Sequence, residues 1–595
     1  MSFAGVWGVV RVRAGSCGPV VVAVRLRPVG WRLRHWRGPL CWCGAYWWLP
    51  MLAIWLLAGR LSAMSSAVTL FRNGRVFSSA APGASALLVR DGLVAWLGAD
   101  ADAPAADEVV DMAGGWVGPA FVDAHVHMTA TGLVLTGLDL SGVASAGELL
   151  DAVAVFAAVL PPDAVVLGHG WDESGWPAEL RTLPCAAELD RAAAGRRVYL
   201  SQASVHAALV SSALLAAVPA GTAGFDASGW LRTDAHHVVR ELALGSLSSA
   251  QRDAAQAAAL RHAASRGIAA VHECAGPVIS SESDLLALLA RSGRGAPEVY
   301  GYWGEWGAAV KARELGAVGA GGDLFVDGAF GSSTAWLSRP YAGGVECGHG
   351  YLDAAQVAEH VLGCVAAGVQ AGFHAIGDAA IGAVLAGLRA AAEVVGVERI
   401  RAGRHRVEHA ELLDRALIAG FVEFGLVASV QPMFDRWWGG PDGMYAARLG
   451  PQRALAANPL QTLHGVGVGL AFGSDAPVTP LDPWGAVAAA VGHHSAVQRM
   501  GVRSAFAAHT RGGWRALGPV ADAATRQLRE REGVLAPGSP ATFAVWSTPA
   551  GVDGELPRVI DGAGASVELP VCERTVLRGE TIFAAGTSVQ DGDLR

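Results

Sequence analysis

With 595 residues the chain has material for one large domain and a smaller companion. A formal charge of −8 and a pI near 6.1 lack the basic footprint of a nucleic-acid binder, so no nucleic-acid partner is expected. The 8 cysteines show no repeated spacing, which argues against a zinc ribbon or a disulfide framework and leaves buried free thiols.

The first 63 residues differ in kind from the rest. Arginine and tryptophan crowd them, and no acidic residue occurs before Asp91. Residues 39–59 are uncharged, mostly apolar and about long enough to span a bilayer, with an arginine-rich segment in front. Taken literally this is a signal anchor or signal peptide, placing the protein at or beyond a membrane. The competing reading is upstream sequence read through to a wrong start, with Met64 opening a cytoplasmic protein, and a membrane is a partner only under the first reading.

From 64 to 117, short Val/Leu/Ala strands alternate with Asn-Gly and Asp-Gly turns, a hairpin pattern. Gly118 to Thr129 then reads as a buried strand ending in a chelate. Side chains alternate along a strand, so His125 and His127 point the same way and can share one metal ion. Residues 161–262 break the strand–helix alternation and look like an insertion. Gly168-His169-Gly170-Trp171-Asp172 suits a loop walling a substrate pocket, with Trp171 and Asp172 facing the substrate, and Gly229 to Arg232 supplies a second wall. His169, His206, His236 and His237 are taken as structural or substrate-facing.

Strands alternate again with Ala-rich helices beyond this point, the pattern of a (β/α)8 barrel. Ile268 to His272 ends in Glu273, and Asp323 to Gly328 carries Asp327, both taken as substrate-binding residues. Val369 to Phe373 exits into His374, and Arg406 to Glu408 into His409. Gly469 to Ser474 ends in the carboxylate of Asp475. Trp437 and Trp438 follow another strand end and are candidates to contact an apolar or aromatic substrate group. Gly533 to Val545 returns to short strands, which continue to the end.

These motifs resemble the amidohydrolase superfamily, within it amidohydrolase family 3 and its N-substituted formamide deformylase-like branch. The likeness runs from about Met64 to the C-terminus, through Gly-Pro-Ala-Phe-Val-Asp-Ala-His-Val-His (Gly118 to His127), Gly-His-Gly-Trp-Asp (Gly168 to Asp172), Val-His-Glu (Val271 to Glu273), Asp-Gly-Ala-Phe-Gly-Ser-Ser-Thr-Ala (Asp327 to Ala335), Phe-His-Ala-Ile-Gly-Asp (Phe373 to Asp378), Val-Glu-His (Val407 to His409) and Gly-Ser-Asp-Ala-Pro-Val (Gly473 to Val478). It implies a TIM-like barrel over 118–532. It also implies a small discontinuous β-sandwich built from 64–117 and 533–595. It makes His125, His127, His374 and His409 metal-site residues, and Asp475 the last ligand and general base.

The implied reaction is hydrolysis of a non-peptide C–N bond, an amide or formamide, in a small molecule. A divalent metal, zinc by preference, lowers the pKa of water towards neutrality. Asp475 takes the proton and returns it to the leaving nitrogen, and His409 is a candidate donor to the oxyanion. Many members of the superfamily carry a carbamylated lysine that bridges two metals. Here that position reads as Asp323, and Lys311, the only lysine, lies well before it. A carbamate bridge is therefore not expected, and aspartate is too short for a simple replacement. The sequence favours one zinc held by His125, His127, His374 and Asp475, with a second ion recruited by Glu273 or Asp327 as the alternative. A cyclic-amidine deaminase and a non-catalytic barrel stay open as other functions, and a homodimer as an assembly.

Overall fold

The computed structural model describes residues 7–12, 20–25, 68–203, 207–520, 522–561 and 565–586. The apolar stretch 39–59 and His206 lie outside them. The chain divides into two units, Met1–Ser65 and Ser66–Arg595. In the first, Trp7–Val12 and Val20–Arg25 pair antiparallel. Among the described residues no single helix is long and apolar enough to cross a membrane.

The second unit is organised around eight parallel strands: β1 (Phe121–Val126), β2 (Ile268–Ala275), β3 (Glu298–Trp303), β4 (Gly319–Ala320), β5 (Gln370–Ala375), β6 (Arg406–His409), β7 (Val427–Val430) and β8 (Gly469–Phe472). Each strand pairs in parallel with the next from β1 to β8. The ends of β8 and β1 then meet: Asp475 N donates to His125 O (2.8 Å) and His127 N to Ala476 O (3.0 Å). The sheet is thereby joined into a barrel, whose C-terminal strand ends carry the chemistry in this architecture.

Every residue of β1, β2, β5, β6 and β7 is buried, as strands enclosed on both faces must be. Helices cover the outer face. The helix Asp378–Val395 shows the rule, with Ile381, Val384, Leu385 and Leu388 buried at helical spacing. The inner face is polar: β1 turns Asp123 and His125 inward, and β6 turns Arg406 and Glu408 inward, all four fully buried. That polarity is affordable only because these groups pair with one another.

The sandwich is discontinuous. Trp116–Pro119 pairs antiparallel with Phe543–Ser547, inside a sheet completed by Arg75–Val76, Val571–Leu577 and Glu580–Ala584. A second sheet, of Thr69–Arg72, Ala86–Arg90, Leu93–Gly98 and Glu108–Asp111, lies entirely in the N-terminal part. Phe71, Leu87, Val94, Val117, Phe543 and Val576 make one apolar cluster from both halves.

The insertion carries its own five-stranded sheet: Leu138–Asp139, Val166–Trp171, Val198–Gln202, Ala207–Val210 and Trp230–Arg232. It thus begins near Leu138, upstream of the expected 161. Gly168 to Trp171 belongs to a strand and not to a loop. Gly168 faces the Leu200 side chain, where a β-carbon would sit 2.7 Å from Leu200 Cδ2, so glycine here serves packing.

Candidate metal centre

Asp123, His125 and His127 share one face of β1 and its exit, as the strand period requires. Asp123 Oδ1 accepts from the backbone N–H of His125 (3.2 Å) and of Ser474 (3.0 Å), tying the His-x-His segment to the segment that presents Asp475. Burial raises the Asp123 carboxyl to about 6 despite these donors. Strand alternation would send His409 away from the face that carries Glu408. Instead His409 has φ 67° and Ala410 φ 46°, and this left-handed turn leaves the His409 ring 4.5 Å from that of His374. Asp475 is likewise left-handed, at φ 56°. Non-glycine residues in that region store strain and cluster at functional sites.

Asp323 is the hub. Its Oδ1 lies 3.4 Å from His125 Nε2, 3.4 Å from His374 Nδ1 and 3.7 Å from His409 Nε2, while Oδ2 lies 3.1 Å from His127 Nε2. Asp475 Oδ1 lies 3.1 Å from His127 Nε2 and 3.5 Å from His125 Nε2. The short aspartate side chain thus comes within 3.7 Å of all four imidazoles, and the backbone explains how. β4 ends after two residues, and Gly321 (φ 150°) and Gly322 (φ 76°) then carry the chain inward. A β-carbon on Gly321 would collide with the Gly372 backbone, and one on Gly322 would sit 3.0 Å from Cys274. The close approach of the main chain makes up for the short side chain.

Each imidazole is anchored on its outer nitrogen. His125 Nδ1 is 3.0 Å from Glu408 Oε2, His127 Nδ1 3.0 Å from Cys274 O, His374 Nε2 3.2 Å from Gly328 O, and His409 Nδ1 2.9 Å from Gln431 Oε1. A proton donated outward leaves a lone pair facing Asp323, the arrangement that prepares histidine for a metal. His125 Nε2, His374 Nδ1, His409 Nε2 and Asp323 Oδ1 are all buried without a hydrogen-bond partner. Buried polar atoms left so are costly unless an ion satisfies them, and the donor set of imidazoles and carboxylates suits zinc. His125, His127 and Asp323 form one group able to hold a metal, and Asp323, His374 and His409 another; a third joins His125, His409 and Asp475.

The electrostatics say the same. Burial favours a neutral Asp323, but the imidazoles, His125 foremost, outweigh it and hold the carboxyl well below the usual range. Burial also opposes protonation of His127, yet Asp323 and Asp475 together raise its pKa well above normal. The centre demands positive charge, which either protons or a cation supply.

Behind His125 stands a buried relay. Arg406 donates to Glu408 Oε1 (2.5 Å) and Oε2 (2.7 Å), to Ser429 Oγ (2.8 Å) and to Ala124 O (2.5 Å), and its Nη1 is 3.0 Å from His272 Nδ1. Burial would raise the Glu408 carboxyl, but Arg406 and His125 bring it down to about 2. His272, buried beside Arg406, is held well below its ordinary pKa and accepts as a neutral ring.

The remaining expected site residues divide. Trp171 is wholly buried in the insertion core with its Nε1 donating to Leu200 O (3.0 Å), so it packs a sheet. Asp172 is exposed and caps the short turn that follows, accepting from Ser174 N (2.9 Å). Asp327 accepts three backbone N–H groups, from Trp336, Ile376 and Gly377 (2.8, 3.0 and 2.8 Å), which occupy both its oxygens. Glu273, raised to about 7 by burial, accepts from Met128 N (2.7 Å). Neither Glu273 nor Asp327 joins a metal-holding group among the described residues. Trp437 is half-exposed over a cavity lined by Arg436, Ala489, Gly492 and His494, which includes none of the four histidines. The aromatic at the centre is Phe434, stacked on His409 at 5.9 Å and 11°, with Trp438 packed against it at 4.9 Å. Glu408, Gln431 and Phe434 went unassigned in the sequence; Glu408 was detectable, since Arg406 and Glu408 at a two-residue spacing share the inner face.

This barrel with its sandwich and its convergent histidines and aspartates defines a metal-dependent hydrolase. Residues 108–583 match the model of the Amidohydrolase family (Amidohydro_3), and the chain belongs to that family. It is 26% identical over 523 residues to YtcJ of Bacillus subtilis, itself named as an amidohydrolase, covering 80% of this chain and 90% of that one. N-substituted formamide deformylase of Arthrobacter pascens is 32% identical over 144 residues, 23% of this chain and 26% of that one. Among solved structures, an uncharacterized metal-dependent hydrolase from Pyrococcus furiosus superposes with a TM-score of 0.66 at 26% identity, covering 80% of this chain and 98% of that one.

Proposed function

We propose that the chain hydrolyses a non-peptide C–N bond, an amide or N-substituted formamide, of a small molecule, with zinc as its metal. The observation that carries this reading is the set of outward-anchored imidazoles whose inward nitrogens converge on Asp323 and Asp475. The short likeness to a formamide deformylase supports the substrate class.

When bound, zinc supplies Lewis acidity that brings the pKa of water near neutrality and polarises a carbonyl. His125, His127 and Asp475, together with Asp323, would hold it. Asp475, ionised because the neighbouring imidazoles outweigh its burial, takes the proton of the attacking water and passes it to the leaving nitrogen. His374 and His409 complete the metal-binding set on the other side of Asp323. Phe434 and Trp438 offer an apolar surface beside His409 for the acyl or amine substituent.

The test is a panel of N-substituted formamides, simple amides and cyclic amidines offered to zinc-loaded protein. Release of amine together with formate or another acid is the expected result. Release of ammonia alone from an amidine would replace this reading with a deaminase, and no turnover of any member by metal-loaded protein counts against catalysis.

A further inference from the structure

We propose that the Asp323 carboxylate, unmodified, bridges two divalent ions, one held with His125, His127 and Asp475 and the other with His374 and His409. The inference rests on the metal-dependent reading above and fixes the ligand set and the metal count.

The donors are too many for one ion. Zinc takes four ligands in a tetrahedron, whereas four inward-facing imidazole nitrogens and two carboxylates converge here. Two of the groups able to hold a metal, His125–His127–Asp323 and Asp323–His374–His409, share Asp323, and a third, His125–His409–Asp475, links the two sides. Asp323 Oδ2 faces His127, while Oδ1 lies between His125 and His374, 3.4 Å from each, with His409 at 3.7 Å, so the one carboxylate spans both sides of the centre. A carboxylate so placed suits two ions about 3.5–4 Å apart, the usual spacing of paired-metal hydrolytic sites. Glu273 and Asp327, the alternatives for a second ion, are committed to backbone N–H groups. Lys311 cannot contribute a bridge: it lies on the helix Ala309–Glu314, where its Nζ pairs with Glu282 and Glu305 at 2.7 Å each. Assembly of the pair therefore needs no bicarbonate.

Full-length protein stripped with chelator and reloaded with Zn2+ or Mn2+ in carbonate-free buffer gives the readout. Near two equivalents per chain by elemental analysis are expected, and the Mn2+ form should show the electron-spin resonance of an exchange-coupled pair. Asp323→Asn should lose the coupling and at least one equivalent, while Asp323→Glu should retain two. The wild-type stoichiometry and spectrum decide the matter even if a variant fails to fold. One tightly held ion, or loading to two equivalents only with bicarbonate, would overturn the bridge and leave the hydrolase reading standing. No binding of any divalent ion would overturn both.

Discussion

Glu408 Oε2 lies 3.0 Å from His125 Nδ1, and both side chains are fully buried. The carboxylate sets the tautomer of the ring that faces Asp323 and is itself fixed by Arg406. Losing such an outer partner typically weakens metal affinity by about 10–100-fold. Glu408→Gln keeps an acceptor but removes the charge, so metal affinity should fall within that range in competition with a chromophoric chelator. Stability should fall too, by about 3–5 kcal/mol, because Arg406 loses its buried counter-charge. Unchanged affinity in a folded variant would show that His125 is held by packing alone.

Asp475 occupies a left-handed conformation, which asparagine tolerates better than most residues. Asp475→Asn should therefore fold and, as the loss of a general base, lower kcat/KM by at least about 10²–10⁴-fold on the best substrate of the panel. A drop of less than tenfold, with metal content intact, would move the proton-transfer role to another group.

Chelator treatment should abolish turnover and lower Tm, both restored by zinc. At a free metal concentration of about 1,000 Kd, ligation adds about 4 kcal/mol to the folded state. Thermal unfolding followed across a metal titration measures this directly. A Tm that does not depend on metal would mean that the centre binds none under those conditions.

The barrel and the histidines were legible because both follow from local rules. His-x-His at a strand exit is a consequence of the two-residue period, and β2, β5, β6 and β8 carry or lead into Glu273, His374, His409 and Asp475. Asp323 was visible only as a departure from the family pattern. Its reach depends on Gly321 and Gly322 bringing the backbone close to β5 and Cys274, which no side-chain pattern records. Trp171 was misplaced for the converse reason. Two glycines beside a tryptophan look like a loop, yet Gly168 makes room for Leu200 and lets a half-buried strand run through. Glu408 and Gln431 act through partners far away in sequence, so their roles appear only once the strands are set side by side.

Away from the metal, Glu532 gives a pH-dependent term. It is 2% exposed, and burial, against the pull of Arg578, raises its carboxyl from an ordinary 4.5 to about 7. Between those values the folded state holds a proton that the unfolded state has released, so stability falls as pH rises. The favourable contribution is complete below about 4.5 and lost once pH passes about 7. Glu532→Gln removes the charging step while Arg578 keeps Glu298 at 2.7 Å. In denaturant melts of metal-saturated protein, wild type should lose up to about 3 kcal/mol more than the variant between pH 5 and pH 8. Parallel pH profiles would show that Glu532 stays ionised throughout.

Gly321 and Gly343 separate backbone strain from close approach. Both have positive φ, 150° and 74°, but a β-carbon on Gly321 would strike the Gly372 backbone in β5, whereas one on Gly343 meets nothing within 4 Å. Gly343→Ala should cost only the conformational penalty of about 1–2 kcal/mol and leave metal loading intact. Gly321→Ala adds a collision that cannot be relieved without pushing β4 away from β5. That movement withdraws Asp323 from the imidazoles, so this variant should lose metal as well as stability, and its metal content should fall before its far-ultraviolet circular dichroism does. Equal metal loading in the two variants would mean that Asp323 reaches the centre without the glycine pair.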